Sequence, residues 1–308
     1  MQARIQFKDR TAIVTGAGGG LGRAHALALA GLGARVVVND VDEAAARQVA
    51  GEITAAGGEA IGIGASVVDE QQVAAMVQRA LSAWGRIDIL VNNAGILRDR
   101  SFAKMDLADF RPVVEVHLMG AFICTKAVWD VMRRQGYGRV VMTTSSSGLY
   151  GNFGQANYAA AKMALVGLMQ TLAVEGAKYD IRVNCLAPTA ATQMTGNVLS
   201  SDALARLAPE FVSPGLVALV GEAAPTRAIL CGGAGHFERA NITLTRGAHV
   251  GGGPGAAGRV MALWDAIADR AGEMVPDYGF AQAEHELAST GGETPDILAS
   301  PRAAAPQS

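Results

Sequence analysis

Residues 11–32 read Thr-Ala-Ile-Val-Thr-Gly-Ala-Gly-Gly-Gly-Leu-Gly-Arg-Ala-His-Ala-Leu-Ala-Leu-Ala-Gly-Leu. An apolar run, a glycine turn and a segment of helical period follow one another, so the order is strand, turn, helix. Gly16, Gly20 and Gly22 permit a tight turn, close approach of backbone to a pyrophosphate and close packing of helix on strand. The helical pattern Arg23–Leu32 that follows turns free N–H groups and a positive dipole end toward phosphates, with Leu21 among the cofactor candidates. A glycine turn by itself is often only structural; the strand before it and the helix after it give this one its weight. His25, inside that helix, reads as a packing residue rather than a ligand.

Working outward, a second strand at Ala34–Asn39 ends at Asp40, about twenty residues past the glycines, where a carboxylate can bind the ribose hydroxyls of an NAD adenosine. A 2′-phosphate beside it would meet like charge, and positions 17 to 21 hold no Lys or Arg, so NAD is expected over NADP. Asp40 as a mere cap of the helix starting at Asp42 or Glu43 is the alternative. Helix Glu43–Ala56, strand Glu59–Gly64, helix Asp69–Trp84 and strand Ile87–Val91 continue the alternation. Short apolar strands between helices imply a doubly wound (Rossmann-type) α/β fold: a parallel sheet of about seven strands with helices on both faces. Asn92, Ala94 and Gly95 end the fourth strand, where small residues would let backbone lie against adenine and ribose, or would simply form a turn.

The chain has 308 residues, half of them apolar and 18% charged, enough to bury a sizeable core. A net charge of −2 gives no basic footprint for nucleic acid. No apolar run has the length of a membrane span, and the N-terminus lacks a signal peptide's apolar core, so a soluble, cytoplasmic protein is expected. Cys124, Cys185 and Cys231 lie in apolar contexts without C-x-x-C spacing, and five scattered histidines give no ligand spacing, so no metal is expected.

A second stretch carries chemistry. Tyr158 and Lys162 stand four apart in an alanine-rich segment, hence on one helical face, and an ammonium there would stabilise a phenolate and make Tyr158 a working acid/base. Ser145 follows the apolar run Arg139–Thr143, a strand that delivers its hydroxyl to the sheet end where open α/β folds keep their sites. Alone, Tyr-x-x-x-Lys would be an ordinary surface pair; the surrounding pattern reverses that judgement.

Thr15-Gly-x-x-x-Gly-x-Gly22, Asn92-Asn-Ala-Gly95, Ser145 and Tyr158-x-x-x-Lys162, in this order, resemble the short-chain dehydrogenase/reductase family. The resemblance implies Tyr158 as acid/base, Lys162 as the residue that lowers its pKa and binds the nicotinamide ribose, and Ser145 as the group that orients the carbonyl or alcohol. Segments 37–40, 95–102, 116–120 and 148–158 are similar to the D-3-hydroxyacyl-CoA dehydrogenase part of peroxisomal multifunctional enzymes of type 2. That similarity covers about residues 5 to 275. It implies NAD-dependent oxidation of a (3R)-3-hydroxyacyl-CoA, fatty or steroid side-chain, to the 3-ketoacyl-CoA. A 17β-hydroxysteroid dehydrogenase and a 3-oxoacyl reductase are the alternatives, and intact Ser145, Tyr158 and Lys162 disfavour a non-catalytic NAD-binding protein.

His117 stands where most of the wider family has an Asn that completes a catalytic tetrad; it either joins a water relay or is a buried, hydrogen-bonded histidine. Thr189, with Thr192 and Thr195, is a candidate for nicotinamide-amide contacts. Residues 189–214 leave the alternating pattern and read as a substrate lid over the strand ends, where Met194 and Phe211 would grip an acyl chain. Arg98, Arg100 and Arg206 could meet coenzyme A phosphates, and Tyr150 and Phe153 complete the candidate substrate set. Arg227–Cys231 reads as the seventh strand, Gly232 to Gly258 as a glycine-rich segment and 259–267 as one amphipathic helix. One domain is expected over 1–283, with a disordered tail at 284–308. Apolar and small residues surround much of 110–132 and 158–172, and with the family resemblance this points to a homodimer or homotetramer.

Overall fold

In the computed structural model, residues 5–191 and 206–290 are described, and the chain divides into two compact units, Met1–Ala240 and Asn241–Ser308. The larger unit alternates as the sequence predicts. β1 (Thr11–Val14), α1 (Gly20–Gly31), β2 (Arg35–Asp40), α2 (Glu43–Ala55), β3 (Glu59–Gly64), α3 (Glu70–Trp84) and β4 (Ile89–Asn92) form its first half. Then come α4 (Leu107–Val114), a π-helical turn (Glu115–Met119), α5 (Gly120–Gln135), β5 (Gly138–Thr143), α6 (Ser146–Tyr150), α7 (Ala156–Gly176) and β6 (Ile181–Thr189). A 3-10 turn (Pro209–Phe211), α8 (Ser213–Val220), β7 (Ile229–Gly233) and β8 (His236–Ala240) close the unit.

The eight strands form one sheet in the order β3-β2-β1-β4-β5-β6-β7-β8. Neighbours from β1 to β7 pair in parallel, and β8 runs antiparallel to β7. The order reverses between β1 and β4, the crevice where open α/β sheets bind ligands. β1, β4 and β5 are buried along their whole length, as continuous apolar runs between two helical layers must be. Ile13, Leu90 and Met142 face a core shared with Val128 of α5 and Leu165 of α7; Val14, Val91 and Leu186 face the opposite core with Leu29 of α1 and Leu216 of α8.

Three expectations are corrected. The sheet has eight strands, not seven, because Ala234 and Gly235 take φ of 51° and 77°. Two positive φ values in a two-residue turn fold the chain back as a hairpin, so β8 lies inside the stretch read as glycine-rich connection. Second, the single domain over 1–283 divides after Ala240. In the smaller unit an antiparallel bridge pairs Leu244 with Met274, with Leu244 N–H donating to the Met274 carbonyl at 2.8 Å. Third, the helix expected over 259–267 is two, Ala256–Ala262 and Trp264–Ala268, and a helix at Ala281–Ala288 runs into the stretch read as tail. None of residues 241–290 is buried, so helical period there does not report a core face. Residues 291–308 and Met194, with most of the expected lid, lie outside the described residues. The helical stretch 107–135 has the length and mean hydropathy of a membrane span, yet it packs Val113, Cys124, Val128 and Met132 into the core.

Candidate active site

At the end of β1 the chain turns through Gly16 and Gly20, whose φ values of 60° and 52° favour glycine. A Cβ on Gly16 would lie 2.7 Å from the Ala94 Cα, and one on Gly22 would strike the Gly16 carbonyl oxygen. Backbone thus meets backbone between the β1 turn, the β4 turn and α1. Asn93 locks this contact: its Nδ2 donates to the carbonyls of Thr15 and Gly16, each at 3.0 Å. The Thr15 hydroxyl accepts from Asn93 N at 3.0 Å and Ala94 N at 3.1 Å. Gly19, the N-cap of α1, makes no side-chain cap, and the helix's first turn holds no acidic residue. The amides of Gly20, Leu21 and Gly22 therefore head a helix end suited to an anion, which fits the pyrophosphate of a dinucleotide.

Asp40 ends β2 beside this turn. Its Oδ2 accepts from Gly18 N at 2.9 Å and its Oδ1 from Asp42 N at 3.1 Å. The cap of α2 is Asp42, whose Oδ1 accepts from Ala44 N and Ala45 N at 2.9 and 3.2 Å. The capping alternative for Asp40 is thus filled by its neighbour. Arg23 pairs with Glu52 and Arg47 with Glu43, so these two cations are already engaged.

Across the sheet end, β5 and α7 position the second half of the site. Lys162 Nζ donates to the Thr143 carbonyl at 2.5 Å, and the Thr144 hydroxyl donates to the Lys162 carbonyl at 2.7 Å. Gly148 lets α6 press on α7, since a Cβ there would lie 2.8 Å from the Lys162 Cβ. Ser145 caps α6, accepting from Ser147 N at 3.2 Å, and its side chain acts on the Tyr158 phenol by lowering its pKa. Lys162 Nζ stands 5.4 Å from the Tyr158 ring centroid, so the three sequence-predicted catalytic residues do come together.

Their electrostatics depart from the simple pairing argument. Burial pushes the Tyr158 phenol above its ordinary range, and the Ser145 hydrogen bond pulls it part of the way back. Burial also lowers Lys162 from 10.5 to about 7. Desolvation outweighs the expected lowering of the tyrosine by the ammonium.

His117 lies in the π-helical turn, 3% exposed, with its ring edge-on to Tyr158 at 5.1 Å between centroids. Burial first, and the Lys162 charge second, lower its pKa to about 3, so it is neutral. Its Nε2 lies 3.1 Å from Ile96 N and 2.8 Å from the Ile96 carbonyl: one tautomer accepts from that amide, the other donates to that oxygen. Nδ1 has no hydrogen-bond partner, and the residue lines a small cavity together with Asn92, Ala94 and Lys162. Gly95 is required here, because a Cβ would strike the His117 ring. Asn92, read as a cofactor residue, points inward instead. Its Nδ2 donates to the Thr125 hydroxyl at 2.9 Å, and its Oδ1 is a second unpartnered atom.

The substrate candidates are scattered around the mouth. Arg98 is exposed; Arg100 is engaged by Asp109 at 2.8 Å. Tyr150, Phe153 and Phe211 are 72%, 90% and 48% exposed. Thr189 is exposed at the end of β6. Sequence reasoning missed Asn93, Thr144 and Asn157. Each is a short polar residue beside a motif residue, and only tertiary contact reveals its partners.

Comparison with known proteins agrees with this geometry. Residues 10–203 match the short chain dehydrogenase family. A short-chain type dehydrogenase/reductase of Mycobacterium tuberculosis is 44% identical over 281 residues, 88% of this chain and 98% of that protein. The full-length peroxisomal multifunctional enzyme type 2 of Drosophila melanogaster superposes with a TM-score of 0.79 at 36% identity, over 93% of this chain and 50% of that one. A 7α-hydroxysteroid dehydrogenase complexed with NADH and 7-oxo glycochenodeoxycholic acid gives 0.70 at 31% identity, over 75% of this chain and 95% of that one. A glycine turn that bares a helix end at β1, with a serine, tyrosine and lysine gathered at the end of β5, is the arrangement of a nicotinamide-dependent oxidoreductase, and the chain belongs to the short-chain dehydrogenase family.

Proposed function

We propose that the protein oxidises a (3R)-3-hydroxyacyl-CoA, fatty or steroid side-chain, to the 3-ketoacyl-CoA with NAD. The observation that carries the cofactor choice is the Asp40 carboxylate held against Gly18 at 2.9 Å, where it would accept from ribose hydroxyls and repel a 2′-phosphate. A bound nicotinamide would accept hydride from C3. The chain's own residues then handle the proton: Tyr158 takes it from the substrate hydroxyl, while Ser145, whose side chain lowers that phenol's pKa, holds the oxygen. Lys162, anchored on Thr143, serves the nicotinamide ribose and favours the phenolate when charged. Thr189 contacts the nicotinamide amide.

His117 acts as a relay through its free Nδ1. The Ile96 peptide accommodates either tautomer, so Nδ1 can donate or accept toward a water shared with Asn92 Oδ1 and Lys162 without losing its backbone bond. Tyr150, Phe153 and Phe211 line the apolar side of the mouth and Arg98 meets the phosphates, a role Arg100 leaves to it by pairing with Asp109. Met119, Phe122 and Met163, exposed on the π turn, α5 and α7, support a homodimer or homotetramer built on those faces.

The test is kcat/KM with NAD for a (3R)-hydroxyacyl-CoA, its (3S) epimer and a free 17β-hydroxysteroid. The thioester should lead. A steroid alcohol ahead by tenfold or more, about 1.4 kcal/mol of transition-state preference, would replace this reading with the hydroxysteroid dehydrogenase.

A further inference from the structure

Asn157 precedes the catalytic tyrosine and is fully buried at 0% exposure. Its Nδ2 spends both hydrogens on other segments, donating to the Arg98 carbonyl at 2.9 Å and to the Asp109 carbonyl of α4 at 3.0 Å. Its Oδ1 accepts from Tyr158 N at 2.7 Å, one of the first-turn amides of α7 that the helix itself leaves unpaired. One side chain therefore joins the loop after β4, helix α4 and the residue that performs the chemistry. Three weaker ties run beside it on the surface. Arg100 N donates to the Gly154 carbonyl at 2.9 Å, Gln155 Nε2 donates to Asp99 Oδ2 at 2.7 Å, and Arg100 pairs with Asp109 at 2.8 Å.

We propose that Asn157 is a positioning residue that sets substrate discrimination by fastening the 96–101 loop to the first turn of the catalytic helix. Exposed hydrogen bonds open readily to water, whereas a buried amide with all its partners in place resists displacement, because moving any partner strands polar groups without solvent. The loop that carries Arg98 is thus held in register with Tyr158, and the distance between the mouth of the site and the reacting carbon is fixed. Asn is needed rather than an isostere. Asp at 157 would keep the bond to Tyr158 N but set a carboxylate against two carbonyl oxygens. Ala would release all three partners. The proposal rests on the alcohol-oxidising role given above, though not on which alcohol is oxidised.

The experiment measures amide hydrogen exchange and steady-state kinetics for Asn157→Ala and Asn157→Asp, using whichever alcohol the wild-type enzyme oxidises best. Exchange across 96–101 should accelerate about tenfold or more while β4 and β5 stay protected. The substrate KM should rise about tenfold and the preference for that alcohol over its carbinol epimer should shrink, with the NAD KM within about twofold and the kcat pH profile unmoved. Should either variant fail to fold, Gln155→Ala combined with Asp109→Asn loosens the same loop and leaves Asn157 in place. That pair should shift exchange and KM in the same direction by about threefold. Unchanged exchange in 96–101 overturns the proposal, as does an equal loss for both epimers. A wild type inactive on hydroxyacyl-CoA removes the substrate reading alone, since the exchange result needs no substrate.

Discussion

Burial acts on Tyr158 and Lys162 in the sense that disfavours charge on each, raising the phenol and bringing the ammonium down to about 7. Both residues gain from a neighbour that accepts or supplies a proton, and Ser145 and the Thr143 carbonyl already hold their polar atoms in place. In the proposed reaction the tyrosine's phenolate oxygen takes the substrate proton while Ser145 holds the substrate oxygen. Tyr158→Phe keeps the ring against His117 but removes that hydroxyl. Turnover should fall by roughly 10²–10⁴-fold, with the NAD KM little changed. A steady-state assay of NADH formation checks this, and near-normal turnover would sink the assignment. Tyr158, Lys162 and Ser145 were legible in the sequence because their spacing is a helical turn and a strand end. The depressed Lys162 was not, because depth of burial is a property of how α6 and α7 pack across Gly148.

At the scale of elements, the β/α alternation was readable because buried parallel strands must be short apolar runs, whatever their order in the sheet. The hairpin to β8 escaped notice because its turn is Ala234-Gly235, which lacks the Asn-Gly or Asp-Gly signal and places a non-glycine residue at positive φ. The direction of the Asn92 side chain was illegible for a related reason. Period two along β4 does not say whether its last side chain leaves the sheet or turns in to Thr125. Asp40 belongs to two elements, ending β2 and bracing the turn into α1 through Gly18. Asp40→Ala should therefore cost NAD its ribose hydrogen bonds, a charge-assisted loss of about 1.5–3 kcal/mol, and relieve repulsion against NADP. The ratio of kcat/KM with NAD to that with NADP should narrow by about tenfold or more. An enzyme that already prefers NADP would refute the selector outright.

Stability of the molecule as a whole depends on two histidines that tie separate segments together while uncharged. His25 joins α1 to the start of α8, its Nδ1 lying 2.9 Å from the Ser213 hydroxyl, and burial lowers its pKa to about 4. The sequence had it as a packing residue, and it packs. His117 joins the π-helical turn to Ile96, with its pKa lowered to about 3. In the unfolded chain both would bind a proton near pH 6.5; in the folded protein they stay neutral down to about 4 and 3. Over that window the unfolded state holds more protons, so stability falls as the pH falls. Between pH 7 and 5 each histidine should contribute a loss of about 2 kcal/mol, seen as a drop in the urea midpoint. His25→Leu combined with Ser213→Ala removes one titrating group and its hydroxyl partner, leaving His117 untouched. That variant should keep about half of the wild-type acid loss, since shifts at sites with no shared partner add. An acid loss as large as wild type's would mean that His25 is not neutral in the folded protein, and that carboxylates elsewhere carry the pH dependence.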